Sequence, residues 1–201
     1  MPDTPSPAHD RDLGDAARRR APVPLGLIAW IAVFSLFPVP AAATDLGAWV
    51  QKMEPHERWH SVEFRDPYSG KFLVSRAGTE DTRARATLTL TASPLDACLP
   101  DVVIVFERDA PAVADLERSE EIQLQIDRRP PTRVPVRIVT QQRDRFEFVQ
   151  FESLFDTRNL AGHRVLRVRK PPELRAEFSL RGFAGAWQTA LSLCQNFLPV
   201  D

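Results

Sequence analysis

The segment His56-Glu57-Arg58-Trp59-His60 carries the most potential chemistry in the shortest space. On an α-helix, residues i and i+4 share a face. Two imidazoles at this spacing could therefore hold one Zn²⁺, with the glutamate beside it to deprotonate a bound water. Such a site needs a helix that runs well past both histidines. Pro55 stands directly before His56 and a strand-like stretch begins at Ser61, so that helix has little room. A third ligand is also unassigned; Glu80, Asp81 and His163 are candidates by type. The sequence predicts a solvated entry segment whose Trp59 packs on a sheet, with no metal and no catalytic residue. A small zinc-dependent hydrolase using His56, Glu57 and His60 is the alternative.

Other constellations are weaker. Serine, histidine and aspartate are all present, but there is no G-x-S-x-G elbow to expose a nucleophile. His163 follows Gly162 at a helix-to-strand junction and reads as a surface histidine. Asp115, Glu117, Glu120 and Glu121 follow Pro111 as an acidic group. A Ca²⁺ site would need convergent oxygens in an Asn/Asp/Gly loop, so this group reads as a solvated face. Arg128-Arg129-Pro130-Pro131 reads as a basic turn tip that could meet an anion. Phe146, Phe148, Phe151 and Phe155 have core-forming spacing; a carrier of a small apolar ligand would need them to line a cavity. There is no Gly-rich phosphate loop, and no cofactor is expected.

The elements that must position these residues are mostly strands. Period-two alternation predicts strands at Ser61–Arg65, Lys71–Ser75, Ala84–Ala92, Glu121–Asp127, Val134–Val139, Phe146–Phe151, Arg164–Val168 and Glu177–Leu180. The apolar run Val102–Phe106 predicts a central strand. Asp66-Pro67-Tyr68-Ser69-Gly70 makes a hairpin turn of the first two. Three helices are expected. One opens Thr44–His60, with Leu46, Trp49, Val50 and Met53 on one face. A second covers Glu152–Leu160. The last covers Gly182–Phe197, with Phe183, Trp187, Leu191 and Cys194 at helical spacing. The fold class predicted is mostly β: an antiparallel sandwich or barrel-like domain with a short N-terminal helix and a C-terminal helix.

Bulk composition narrows the partners. The chain has 201 residues, 43% hydrophobic and 26% charged, which suits one ordered domain. Its 26 Lys+Arg against 27 Asp+Glu leave a net charge of −1, so nucleic acid is not an expected partner. No basic face for a membrane surface stands out after residue 44. Near the start, Arg18-Arg19-Arg20 precede the uncharged run Leu25–Phe37, then Pro38-Val39-Pro40 and Ala41-Ala42-Ala43. This is the order of a secretory signal, with cleavage expected after Ala43. The expected organisation is thus an export segment over 1–43 and one β-rich domain over 44–201. The 13-residue uncharged run falls short of the ~20 apolar residues that span a bilayer, so no stable span is expected after cleavage; an uncleaved anchor is the alternative. Cys98 and Cys194, an even count in an oxidising compartment, are expected to pair.

Four segments together carry a family resemblance. They are LTASPLDACLPDVVIVF around Cys98, IQLQIDRRP, FVQFESLFDTRNLAGHRVLRVR, and AEFSLRGFAGAWQTALSLC. Their order resembles bacterial periplasmic proteins related to invasion-associated locus B, and a type VI secretion-associated periplasmic family of similar build. The resemblance covers Ala84 to Cys194 and maps Cys98, Asp127, Phe178, Gly182, Ala186 and Cys194. It implies a β-sandwich, a periplasmic accessory role, an envelope or secretion-system protein as partner, and no catalytic residue. The Pro-rich N-terminus and the acidic stretch Ala110–Glu121 depart from the family pattern.

Overall fold

The structure, a computed structural model, describes residues 46–152, 156–170 and 174–198. The predicted export segment over 1–43 lies outside the described residues. Period-two alternation dominates the remainder, and ten strands result. They are β1 Val50–His56, β2 Trp59–Arg65, β3 Phe72–Asp81, β4 Ala86–Ala92, β5 Pro100–Glu107, β6 Leu116–Ile126, β7 Thr132–Thr140, β8 Phe146–Phe151, β9 Val165–Lys170 and β10 Leu174–Ser179. One helix, α1, covers Phe183–Gln195. The mostly antiparallel-β expectation holds, and the strands join one continuous sheet that is not closed into a barrel.

The strand order is β1-β2-β3-β4-β5-β8-β7-β6-β9-β10. The first five strands form a meander. The chain then crosses over to β6 and returns through β7 and β8 to pair with β5, a Greek-key connection. A second crossover carries the chain from β8 to β9, on the far side of β6. The sheet curls until β10 approaches β3, where the Glu177 N–H donates to Asp81 Oδ2 at 2.7 Å. That bond is to a side chain, not part of a ladder.

Alternation assigns the faces. Leu88 and Leu90 on β4, Val102 and Ile104 on β5, Val149 on β8, Val136 and Ile138 on β7, Ile122 on β6 and Leu166 on β9 turn inward and are buried. The helix packs across the inner side of β1 to β4. Trp59, Phe178 and Phe183 are among the largest fully buried side chains; each such burial contributes about 1.5–3 kcal/mol. Two polar bonds lock this layer: Trp59 Nε1–H donates to Ser179 O at 2.7 Å, and Ser75 Oγ–H donates to Ala190 O at 2.5 Å.

Two of the three expected helices differ from the structure. Leu46–Trp49 is a four-residue 3-10 turn, and Val50–His56 is a strand. The apolar stripe read as a helix face is not buried as one, since Met53 is 57% exposed. Pro55, which weakens a helix, is tolerated on β1 because β1 is an edge strand and needs fewer ladder donors. In the Glu152–Leu160 segment the described residues hold a 3-10 turn, Thr157–Asn159, capped by the Asp156 carboxylate; residues 153–155 lie outside the described ones. The C-terminal helix forms as expected.

Candidate functional site

The candidate motif is a hairpin turn. His56 closes β1, Trp59 opens β2, and the register pairs His56 with Trp59 and Pro55 with His60. Residues opposite each other in an antiparallel pair share a face, and neighbours along a strand alternate. His56, Trp59 and Ser61 therefore face the helix, whereas His60 faces the other way and is exposed. The two imidazoles lie on opposite sides of the sheet and cannot reach one metal ion. The motif spacing puts two histidines on one side only in a helix; in this hairpin it separates them.

Apart from the exposed His60, the residues of the motif have structural work instead. Glu57 takes the left-handed conformation that the tight turn needs, with φ 55, and its carboxylate accepts from Arg181 Nε–H at 3.0 Å. The Arg58 carbonyl accepts from Thr79 Oγ1–H at 2.7 Å. His56 Nε2 and Ser61 Oγ share a hydrogen bond of 3.0 Å. That pair has the distance of a base and a nucleophile, but Ser61 is 2% exposed and the His56 ring lies against Gly185 of α1. Ser61 is closed off, while His56 lines a surface groove beside Gly185, Gln188 and Ser192 of α1. The whole turn seats on the start of α1. A Cβ on Gly182 would stand 1.8 Å from the His56 carbonyl oxygen, and Gly182 has φ +87. Only glycine satisfies both conditions.

The other end of α1 is fixed covalently. Cys98 and Cys194, 96 residues apart, form a disulfide with their Cα atoms 6.0 Å apart. Cys98 sits in a tight β4–β5 connection. Ser93 caps a 3-10 turn there, and Ala97 and Cys98 are both left-handed, with φ 51 and φ 59. Beside it Phe72 stacks on Phe197 at 4.4 Å, with the Arg65 guanidinium 5.2 Å from the Phe197 ring centre.

Asp127, His163 and the acidic group are also paired. Asp127, in the β6–β7 turn, accepts from His163 Nδ1–H at 2.9 Å and from the Arg164 and Val165 N–H groups at 3.0 Å each. The His163 ring, and then those two amides, hold the Asp127 carboxyl below its ordinary range. His163 is thus a half-buried latch, not the free surface histidine expected. In the acidic group, Asp115 accepts from the Gln142 N–H at 2.7 Å. Glu117 pairs with Arg137 at 3.3 Å, Glu120 with Arg118, and Glu121 lies 3.8 Å from Arg133. Among the described residues, no three His, Cys, Asp or Glu side chains converge as metal ligands; Glu80 and Asp81, on β3, join no such group. The phenylalanines do not line one space: Phe146 and Phe148 lie on one face of β8 and Phe151 on the other, while Phe155 lies outside the described residues.

One inward charge pair escaped the sequence reading. Lys170 Nζ donates to Glu147 Oε1 at 2.8 Å, with the two side chains 13% and 10% exposed. The available signal was the alternation that puts Glu147 on the face of Val149; its partner, two strands past β7 in the sheet order, was not legible. Among the described residues, no buried side-chain polar atom lacks a partner. Comparison with protein-family models, with curated proteins and with solved structures finds no match.

Proposed function

We propose that this chain is an exported, non-enzymatic binding or accessory domain of the bacterial cell envelope, acting through its surface on an envelope or secretion-system protein. The Cys98–Cys194 disulfide carries this reading. A pair closing so long a loop stabilises by about 4–5 kcal/mol in the chain-entropy model, and it persists in an oxidising compartment. The export-type run before Thr44 and the weak resemblance to periplasmic accessory families point the same way. The buried polar groups are bonded to one another, Ser61 to His56 and Lys170 to Glu147, which agrees with a binding or accessory role.

The test is fractionation of a bacterium expressing the full chain, with mass measurement of the product. The expected product lies outside the cytoplasm, begins at Thr44 and resists thiol alkylation until reduced. A full-length cytoplasmic product with two alkylatable thiols would overturn the reading.

A further inference from the structure

The outer face of the sheet near β10 holds a charge arrangement that folding alone does not favour. The ladder places Arg133 of β7 opposite Gln123 of β6, Gln123 opposite Arg169 of β9, and Arg169 opposite Arg175 of β10. These four side chains form one straight row across four adjacent strands, on the face away from the core. Arg133, Arg169 and Arg175 are all exposed. Arg169 and Arg175 are directly cross-strand, where like charges repel and destabilise a sheet. Among the described residues neither has an ion-pair partner, and Arg133 has only an exposed carboxylate at 3.8 Å. The β6–β7 turn adds Arg128 and Arg129, both exposed and likewise unpaired among the described residues.

The surroundings make the gap specific. Carboxylates are plentiful elsewhere and the chain as a whole is near neutral. The next row shows the ordinary solution: Arg167 on β9 pairs with Glu177 on β10 at 2.9 Å. Among the described residues the Arg169–Arg175 position has no such partner. Neither the groove beside Glu63 and Arg65 nor the one beside His56 and Gly185 includes these arginines. They stand on an open sheet face, which suits an extended anionic plane more than a single small anion in a cavity. Guanidinium groups bind phosphate in a fork; the backbones of Arg169 and Arg175 lie on adjacent strands, about 4.8 Å apart, and Arg133 lies two strands from Arg169, across Gln123.

We infer that the Arg133–Arg169–Arg175 row, with the Arg128-Arg129 turn, is a docking face for a membrane surface rich in anionic phospholipid. The choice of a lipid surface over a soluble polyanion rests on the export reading above, which places the domain beside a membrane. The charge row itself does not. The contact is peripheral and electrostatic: guanidinium groups meet lipid phosphates with no apolar insertion, so it weakens as salt rises.

The experiment is co-sedimentation of the purified full chain with phosphatidylcholine vesicles, alone or containing phosphatidylglycerol, at low and high salt. Binding to neutral vesicles reports the apolar N-terminal run, and every variant shares both that run and the Arg18-Arg19-Arg20 charge before it. The excess on anionic vesicles is the readout. Arg169→Gln/Arg175→Gln should cut that excess by roughly 25-fold, about fivefold per arginine, and high salt should abolish it. Arg83→Gln/Arg108→Gln, the same change in charge on the β3–β4 turn and the β5–β6 crossover, should leave it within about twofold. No excess on anionic vesicles, or equal losses in the two double variants, would overturn the inference. So would binding that follows Arg169 and Arg175 on soluble polyglutamate but not on vesicles, which would assign the row to an acidic polypeptide. Neither failure bears on export, which fractionation reads separately.

Discussion

The two faces of this sheet solve opposite problems. On the inner side of β1 to β4, the helix is held at both ends. Its start is seated on the His56 carbonyl through Gly182, and its end is bonded to the β4–β5 turn through Cys194. Polar groups in that layer are satisfied, and side chains interlock at van der Waals contact. On the outer side, Arg169 of β9 and Arg175 of β10 face each other across the ladder, and among the described residues neither has an ion-pair partner. One region is optimised for the folded state. The other tolerates a local electrostatic cost, and the difference separates residues that hold the fold from residues free to meet a partner.

Substitutions should divide along the same line. The largest effect is expected at Gly182→Ala, which adds a methyl group where the His56 carbonyl already stands and strains a left-handed residue. A loss of about 4 kcal/mol or more, or failure to fold, is expected in chemical denaturation. A loss below about 1 kcal/mol would mean the hairpin is not seated on the helix. Next, Cys98→Ser and Cys194→Ser should each cost about 2–5 kcal/mol, by equal amounts, with the double variant no worse than either single. Unequal melting shifts under non-reducing conditions would count against the pairing.

A smaller effect is expected at the Asp127 latch. Its folded-state carboxyl is held below the ordinary value of 3.8, chiefly by the His163 ring. A depressed folded value contributes stability that is complete above the unfolded value and is lost as pH falls through the folded one. Asp127→Asn should therefore melt below the parent at pH 7, with the gap closing as the pH falls past the unfolded value of 3.8 and through the lowered folded one. A pH-independent gap would assign the effect to packing. The smallest effect belongs to Arg169→Gln/Arg175→Gln, which should leave stability within about 0.5 kcal/mol or raise it slightly by relieving repulsion. If urea titration showed a loss beyond 1 kcal/mol, the arginines would be part of the fold's own framework, and the contrast between the faces would fail.

The histidine motif and the arginine row fail to be legible in sequence for the same reason. His56 and His60 are four apart, a spacing that means one face in a helix and opposite faces in a two-residue hairpin; the ladder to β2 chose the second. Trp59 burial and the edge position of Pro55 were enough to override a helical stripe whose Met53 has nothing to pack on. The strands, by contrast, were legible almost wherever alternation is strict, as in Ala86–Ala92 and Val165–Lys170. The acidic stretch misled in part, because charged residues on both faces of β6, Arg118 and Glu120 inward and Glu117 and Glu121 outward, hid a strand that begins at Leu116.

The sequence by itself determined the class of the fold, the C-terminal helix and the identity of the two cysteines, because each depends on local periodicity or on residue type. Only the tertiary structure decided that His56 faces a helix and His60 does not, that Lys170 finds Glu147, and that Arg133, Arg169 and Arg175 stand in one row. Those facts depend on strand order and register. Strand order is set by which non-local ladders form. Period two tells each strand which face to bury but not which neighbour it will have.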